Sequence, residues 1–489
     1  MIKNRRLEDK GPAFGIRHVQ VILLFLCLIV NYIGRQNASV SVVAMTNAKS
    51  TNPDFPEYNW NETHKSYILS SFYWGYSLTQ CLATYICRHF GSKPSMLIAT
   101  AGSALLSAIT PMAIGLGGWQ VYCGIRTLQG LFQGLLLPTL HDHLAKWSPI
   151  EERTRLGALS LTGLETGNLL GMAVPGLIAH SRWGWPGISY FSAGFSIFWC
   201  LLWIIFADSS PIVSRLISPE EKTYILTSQR KNDGKQVKIP IPWKAILTSI
   251  PFASLVSVRI ASIWGMGTMQ SQIPSYLHSI FLMNIGENTF YSTLPYVVML
   301  IMTYVYLIFA DVLLKKNIFS LTGVKKTINS FAMWIPAIAL FGLGTVDRAT
   351  SAIILMTISI GVSGGVSIGS GLNAIDLSAN HAVVLMGILN TVTSIASMMA
   401  PLFVGVIVTD ETDRSQWQIV FWTSALVYFF GNLQFIIFSS TETQPWNDEK
   451  YMLVSQDDKQ PQIRKVNSVL ELRTYDDSSM KNDTSLLKE

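Results

Sequence analysis

Apolar stretches of about 20 residues recur along this chain from position 19 to position 439, and they restrict its fold more than any other feature. A helix of that length crosses the hydrocarbon core of a bilayer, which is about 30 Å thick. The stretches are continuous and lack the apolar/polar alternation of strands in a membrane barrel. We therefore expect an all-α protein that crosses a membrane many times.

The composition supports this prediction and argues against an enzyme. The 489 residues are 49% hydrophobic and 13% charged, with a mean hydropathy of +0.34, which is too apolar for one water-soluble core. The histidines have no metal-ligand spacing, and neither a phosphate-binding glycine loop nor a nucleophile elbow occurs. We expect no cofactor and no metal centre. The five cysteines all fall within apolar stretches, which favours neither disulfides nor zinc: Cys27, Cys81, Cys87, Cys123 and Cys200.

The apolar stretches number twelve. They cover residues 19–44, 66–87, 95–115, 119–143, 156–179, 187–207, 252–277, 290–310, 327–345, 351–372, 383–408 and 419–439, and are called spans 1 to 12 below. The longest charged interruption separates six spans from six, which predicts two similar halves as in transporters with internal repeats. The predicted domains are an N-terminus (1–18), a six-helix bundle (19–207), a central loop (208–245), a second six-helix bundle (246–439) and a disordered tail (440–489).

The distribution of Lys and Arg predicts the orientation. One side of the predicted topology carries 28 of these residues and the other carries five. Positive residues favour the cytoplasm, so both termini are expected there. The net charge of +6 is then explained by topology, and no nucleic-acid partner is expected. Asn61, in the sequon Asn61-Glu62-Thr63, lies on the outer side and is a glycosylation candidate.

Four charged residues lie well inside predicted spans, away from the span ends: Arg35, Arg126, Arg259 and Glu165. Each costs about 2.5–3.5 kcal/mol at a helix centre, so these side chains should face the protein interior. They could bind a substrate, or they could pair with one another or with backbone carbonyls to hold helices together.

Arg35 and Arg126 are predicted to lie at a similar depth. Arg35 is about 24 Å from the cytoplasmic start of span 1, and Arg126 is about 10 Å from the outer start of span 4. Neither span contains an acidic residue before Asp142. Guanidinium groups bind carboxylates and phosphates with paired hydrogen bonds, so the sequence predicts a site for an anion.

The neighbours of these arginines have helical spacing. Gln129 and Gln133 share the Arg126 face of span 4 and could contact a substrate or bridge helices. Gly130 and Gly134 form a small-xxx-small pair that favours close helix packing. Asn31 shares a face with Arg35, and we expect this face to form a wall of the cavity.

Other polar residues are candidates for coupling or gating. Glu165 in span 5 and Arg259 in span 7 lie about 12 Å and 10 Å from the cytoplasmic ends of their spans, so they could form an ion pair. Alternatively, Glu165 could bind and release protons. Asn373 and Asp376 lie near the end of span 10. Asp376 could bind an ion or make a helix-end contact.

Several motifs resemble the anion/cation symporter family of the major facilitator superfamily, which includes type I sodium-phosphate cotransporters, sialin and vesicular glutamate transporters. They are FYWGYSLTQ (72–80), IRTLQGLFQG (125–134), KWSPIEERTRLG (146–157), SPEEKTYI (218–225), STLPY (292–296), NAID (373–376) and MGILNTV (386–392). The resemblance implies two six-helix bundles around a central cavity that opens alternately to the two sides. It also implies that Arg35, Arg126 and Tyr76 contact the substrate anion.

The departures from the family pattern narrow the choice of substrate. Sialin-like members have acidic residues where this chain has Gln129 and Gln133, and vesicular glutamate transporters have histidine and arginine in place of Leu69 and Ser262. The pattern is most similar to the sodium-phosphate and organic-anion branch.

The resulting hypothesis is a secondary transporter of inorganic phosphate or small organic anions, driven by sodium or by the membrane potential. An alternative is a proton-coupled carrier of organic acids or acidic sugars, in which Glu165 replaces the missing carboxylates. A remote alternative is a membrane receptor or scaffold that does not transport. The expected partners are a small anion and the bilayer, the transport unit is expected to be a monomer, and the plasma membrane is favoured over lysosomal or vesicular membranes.

Overall fold

The computed structural model describes residues 12, 14–47, 52–149, 152–233, 241–283, 285–371, 373–378 and 380–447. The predicted disordered tail falls largely outside these residues. The first half contains the following helices: Ile16–Thr46 (span 1), Glu62–Phe90 (span 2), Ser92–Gln133 (span 3 and most of span 4), Leu136–Trp147 (the end of span 4), Arg153–Ala179 (span 5) and Gly184–Phe206 (span 6).

The second half repeats this order. Its helices are Ile250–Phe281 (span 7), Ile285–Lys315 (span 8), Leu321–Leu343 (span 9), Ala349–Ser363, Val366–Gly369 and Asn373–Leu377 (span 10), Ala382–Ile407 (span 11) and Arg414–Phe438 (span 12). The central segment, predicted as a loop, contains the helices Pro219–Asp233 and Trp243–Leu247. The face that carries Ile16 is called the amino-terminal face below, and the opposite face is called the distal face.

A kink at two adjacent glycines separates spans 3 and 4 within the segment Ser92–Gln133. Gly117 and Gly118 have non-helical backbone angles, and Gly118 has φ = 60°, which glycine adopts without steric cost. Nine helices in the described part of the chain are long and apolar enough to cross a membrane. The segment that contains spans 3 and 4 counts once among these nine, and spans 2 and 5 are not among them.

The fourth span of each half is interrupted, which the sequence analysis missed. Span 4 breaks at Gly134 and Leu135 because Pro138 cannot donate the helical hydrogen bond to the Gly134 carbonyl. Span 10 breaks at Gly364 and Gly365. Interrupted helices at matching positions of two repeats are typical of transporters, where they flank the binding site.

Glycines bring the helices of the first half into backbone contact. A Cβ at Gly75 would lie 2.0 Å from the Thr127 carbonyl oxygen, and a Cβ at Gly130 would lie 1.9 Å from that of Phe72. This confirms the close packing predicted for Gly130. Spans 1 and 5 pack closely in the same way, through Gly163, Gly167 and Gly171 of span 5.

Contacts between spans 2 and 11, 5 and 8, and 1 and 7 join the two bundles. At the distal face Thr63 Oγ1 donates to the Gly405 carbonyl oxygen at 3.0 Å. Further from the distal face, Ser70 Oγ donates to the Met398 carbonyl oxygen at 2.8 Å. These contacts hold the bundles together on the distal side of the protein centre.

Candidate functional site

A cavity of about 30 Å³ lies between the two bundles. Spans 1, 2 and 4 of the first half and spans 7 and 11 of the second half line it. Arg35 and Arg126 both reach this cavity, together with Gln36, Ser39 and Tyr73. The structure therefore brings together the two arginines that the sequence placed at similar depth.

The backbone of span 1 holds the Arg126 guanidinium in place. Arg126 is 3% exposed, and its Nη1 donates to the Gly34 carbonyl oxygen at 3.2 Å while its Nη2 donates to the Arg35 carbonyl oxygen at 3.0 Å. Nη1 also donates to Gln129 Oε1 at 3.1 Å, whereas Nε has no hydrogen-bond partner in the described residues. The guanidinium is thus oriented by neutral acceptors.

Aromatic rings surround the Arg35 guanidinium. Its Cζ lies 4.4 Å from the ring centroid of Tyr76, 4.6 Å from Phe72, 5.1 Å from Tyr32 and 5.2 Å from Tyr73. A cation over an aromatic face is stabilised by about 0.5–2 kcal/mol, with the larger values where water is excluded. We call these four rings the aromatic cage. It holds the charge without neutralising it.

Neither arginine forms an ion pair with any residue that the structure describes. Their acceptors are carbonyls, an amide, the Tyr76 hydroxyl and π faces, which carry no net charge. Two cations therefore remain uncompensated at one cavity, and an unpaired buried charge is costly. An anion that reaches the cavity would supply the missing counter-charge.

The other residues predicted for this site do not line the cavity, and they differ in what they contact. Gln129 orients Arg126, and its Nε2 donates to Ser107 Oγ at 3.1 Å. Gln133 is buried but does not line the cavity. Of the span 1 face predicted to form a wall, Arg35 lines the cavity but Asn31 does not, because the Asn31 side-chain amide donates to Thr100 Oγ1 of span 3 at 3.0 Å. Tyr76 lies behind Arg35 as part of the aromatic cage.

The proposed pair of Glu165 and Arg259 does not form in the part of the chain that the structure describes. Glu165 instead bonds to the Asn168 side chain, one turn further along span 5. Asp376 pairs with Lys325 of span 9, so it makes the helix-end contact. The side-chain amide of Asn373 is buried, and no described residue forms a hydrogen bond with it.

The sequence analysis missed most of the cavity wall. Gln270 and Ser271 of span 7 and Ser397 of span 11 face the arginines from the second half, and this wall carries no charged residue. Ser271 Oγ donates to the Gly267 carbonyl oxygen of its own helix at 2.8 Å. Phe72, which the sequence analysis missed, did leave a signal, because it lies four residues before the predicted Tyr76 in the motif FYWGYSLTQ.

Two repeated six-helix bundles with a charged cavity between them define a polytopic membrane transporter. The chain belongs to the Major Facilitator Superfamily, whose family model matches residues 24–401. Membership of this superfamily makes the chain a transporter rather than an enzyme.

Three relatives are similar to this chain over most of their length. The chain is 31% identical to a Drosophila melanogaster protein named "Putative inorganic phosphate cotransporter" (90% of this chain and 88% of that protein). It is 31% identical to human sialin (90% and 92%) and 30% identical to vesicular glutamate transporter 1 of Xenopus tropicalis (91% and 80%). These relatives match the groups that the sequence motifs resemble.

Solved structures share the fold. The crystal structure of a D-xylose-proton symporter matches with a TM-score of 0.63 at 16% identity, over 87% of this chain and all of that one. A bacterial homolog of the human lysosomal transporter Spinster, inward-facing and occupied, matches with a TM-score of 0.64 at 12% identity, over 87% and 97%. The expected fold of twelve helices in two bundles is confirmed.

Proposed function

We propose that this protein is a secondary active transporter of inorganic phosphate or small organic anions that works by alternating access. The observation that carries the proposal is the pairing of Arg35 and Arg126 at one cavity without a carboxylate partner in the described residues. The names of the Drosophila relative and of human sialin support an anionic substrate.

The substrate anion would bind between the two guanidiniums. Arg126 has one donor, Nε, without a protein acceptor, and Arg35 Nε is likewise without one in the described chain. Both arginines can therefore bond to an anion without first breaking an ion pair. The cavity has room for only about two water molecules, so the bundles must move apart before an anion enters.

The wall of the second half favours small, compact anions. Gln270, Ser271 and Ser397 offer an amide and two hydroxyls opposite the arginines. From the first half, Leu69 of span 2 adds an apolar surface at the position where vesicular glutamate transporters have histidine. An amino acid carries an ammonium group as well as a carboxylate. Its ammonium group would find no carboxylate among the residues that line the cavity, which argues against an amino acid substrate.

We place the amino-terminal face in the cytoplasm and favour the plasma membrane, following the distribution of positive charge. Sodium or the membrane potential is the proposed driving force, and the transport unit is proposed to be a monomer. Asn61 is exposed at the distal face and caps span 2 through Oδ1, which accepts from His64 N at 3.0 Å. Its amide nitrogen remains accessible for glycosylation.

A proton-coupled carrier remains the alternative. Glu165, half-buried and without an arginine partner in the described residues, is its candidate proton site. Imposed sodium and pH gradients separate the two mechanisms.

The test is uptake of radiolabelled phosphate, urate and sialic acid into proteoliposomes that contain the purified full chain. Sodium, proton and voltage gradients are imposed one at a time. Uptake of phosphate or urate that rises with inward sodium or voltage supports the proposal. Uptake of sialic acid alone, driven by protons, supports the alternative. Binding of all three without net flux would reject transport.

A further inference from the structure

A charged triad joins the two bundles at the distal face. Lys65 Nζ, at the start of span 2, lies 2.6 Å from Oε2 of Glu411, in the loop between spans 11 and 12. The same ammonium lies 3.6 Å from Oε2 of Glu62. Ser279 of span 7 donates to the same Glu411 oxygen at 3.0 Å. Lys65 thus bridges one carboxylate of its own bundle and one of the opposite bundle. We call Glu62, Lys65 and Glu411 the distal triad.

Glu62 is the buried member of the distal triad. Its side chain is 0% exposed, and neither carboxylate oxygen accepts a hydrogen bond from the described chain. The next turn of its helix contacts the opposite bundle, because Thr63 donates to the Gly405 carbonyl and a Cβ at Gly405 would lie 2.6 Å from the Cβ of Ser66. Glu62 is therefore buried beside the junction of the two bundles, where their separation would admit water.

We propose that Glu62 is a proton-binding site that controls the distal gate: the carboxyl holds a proton while the gate is closed and releases it when the gate opens. The inference rests on the proposed function, because it assumes alternating access. A buried carboxylate without hydrogen-bond donors favours its neutral form. Lys65 does not remove this preference, since its shorter contact is to Glu411.

Protons reach the distal triad through a vestibule of about 930 Å³. Glu57, His278 and Asp410 also line this vestibule, but Glu62 interacts electrostatically with the other two members of the distal triad, Lys65 and Glu411. The vestibule lies on the distal side of the membrane, so the gate would respond to the pH of that compartment.

The direction of the response follows from burial. Glu62 precedes the apolar segment 66–87, at the membrane surface, and burial raises the pKa of its carboxyl to about 7 while Lys65 opposes the shift. A solvated glutamate in the open gate would have a pKa of about 4.3. The closed gate therefore gains its full stabilisation below the open-state pKa, and loses it as the pH rises through about 7.

The experiment measures the distance between the bundles at the distal face. Spin labels are attached to Asn59→Cys and Thr412→Cys, which are exposed on opposite bundles at the vestibule, in a full-length chain whose five native cysteines are replaced by alanine. Distances are measured by pulsed electron paramagnetic resonance in lipid nanodiscs from pH 5 to pH 8. We expect the ratio of closed to open molecules to fall at least tenfold over this range.

Glu62→Gln should keep the gate closed at every pH, whereas Glu57→Gln, which removes an exposed carboxylate of the same vestibule, should retain the wild-type response. Should Glu62→Gln not fold, Glu62→Asp keeps a titratable group, and its transition midpoint should shift. A wild-type distance that is independent of pH, an unchanged response in Glu62→Gln, or an unmoved midpoint in Glu62→Asp overturns the proposal. No anion or ion gradient is present, so failure of uptake would count against the proposed function and leave this result intact.

Discussion

Arg126 Nη2 donates a 3.0 Å hydrogen bond to the backbone carbonyl oxygen of Arg35, so one of the two cavity cations is held by the main chain of the other. The bond does not involve the Arg35 side chain. Removing that side chain should therefore leave Arg126 in position, and the contributions of the two guanidiniums can be measured separately.

Substitution of Arg126 should abolish anion uptake. Arg126→Ala removes the charge, and Arg126→Lys keeps it but cannot span the carbonyls of Gly34 and Arg35 while also reaching Gln129. We expect less than a tenth of wild-type phosphate uptake in proteoliposomes for both variants. Arg182→Ala, on the distal face beside Trp183, is the matched control and should transport normally. Undiminished uptake by Arg126→Ala in folded protein would reject the role of this residue.

The aromatic cage predicts a graded series at Tyr76. Tyr76→Phe keeps a ring 4.4 Å from the Arg35 guanidinium, whereas Tyr76→Leu removes it. We expect the affinity for the anion to stay within about threefold in Tyr76→Phe and to fall about tenfold in Tyr76→Leu, in line with the strength of a desolvated cation–π contact. Substrate binding is measured by titration calorimetry once the anion is known. Equal effects of the two variants would show that the ring face does not position Arg35.

A carboxylate at position 129 should neutralise the site. In Gln129→Glu the new group would stand at the position of Oε1, 3.1 Å from Arg126 Nη1, and would compete with the substrate anion. Gln129→Leu removes the hydrogen bond without adding charge and serves as the comparison. We expect phosphate uptake to fall further in Gln129→Glu than in Gln129→Leu. A smaller loss in Gln129→Glu would mean that Arg126 does not act through its free charge.

The twelve spans could be predicted from the sequence because each span has to satisfy the bilayer independently of its neighbours. The meeting of Arg35 and Arg126 was predictable for a related reason, since depth follows from helical rise. The partners of Glu165 and Asn31 were not predictable, because they depend on helix rotation within the bundle. The sequence analysis also missed the break in span 4, because it counted span 4 as one apolar stretch, although Pro138 marks the break.

Helix contact between spans 2 and 4 predicts a difference between two glycines of the same helix. A Cβ at Gly130 would lie 1.9 Å from the Phe72 carbonyl oxygen, whereas nothing lies within 4 Å of a Cβ at Gly124. We expect Gly130→Ala to destabilise the protein by about 1–3 kcal/mol through overpacking. Gly124→Ala should be neutral or stabilising, because alanine favours a helix over glycine by about 1 kcal/mol. Thermal unfolding in detergent measures both, and equal melting temperatures would contradict the close contact.

Arg17 should stabilise the protein at its amino-terminal face far more than an exposed ion pair does. Its Nη1 donates to Glu221 Oε1 at 3.1 Å, its Nε donates to Glu152 Oε2 at 2.9 Å, and the Glu221 side chain is 2% exposed. Arg17→Met leaves the buried Glu221 carboxylate without its counter-charge, which costs about 3–5 kcal/mol.

Lys315 pairs with Asp311 at 2.6 Å in an exposed position, so Lys315→Met should cost about 1 kcal/mol or less. The double variant Arg17→Met/Glu221→Leu should recover much of the loss, because no charge is then left buried. Denaturant unfolding of the purified chain, followed by circular dichroism, compares the three variants. A double variant as unstable as Arg17→Met would show that the helix Pro219–Asp233 depends on the ion pair itself, and not on the neutralisation of a buried carboxylate.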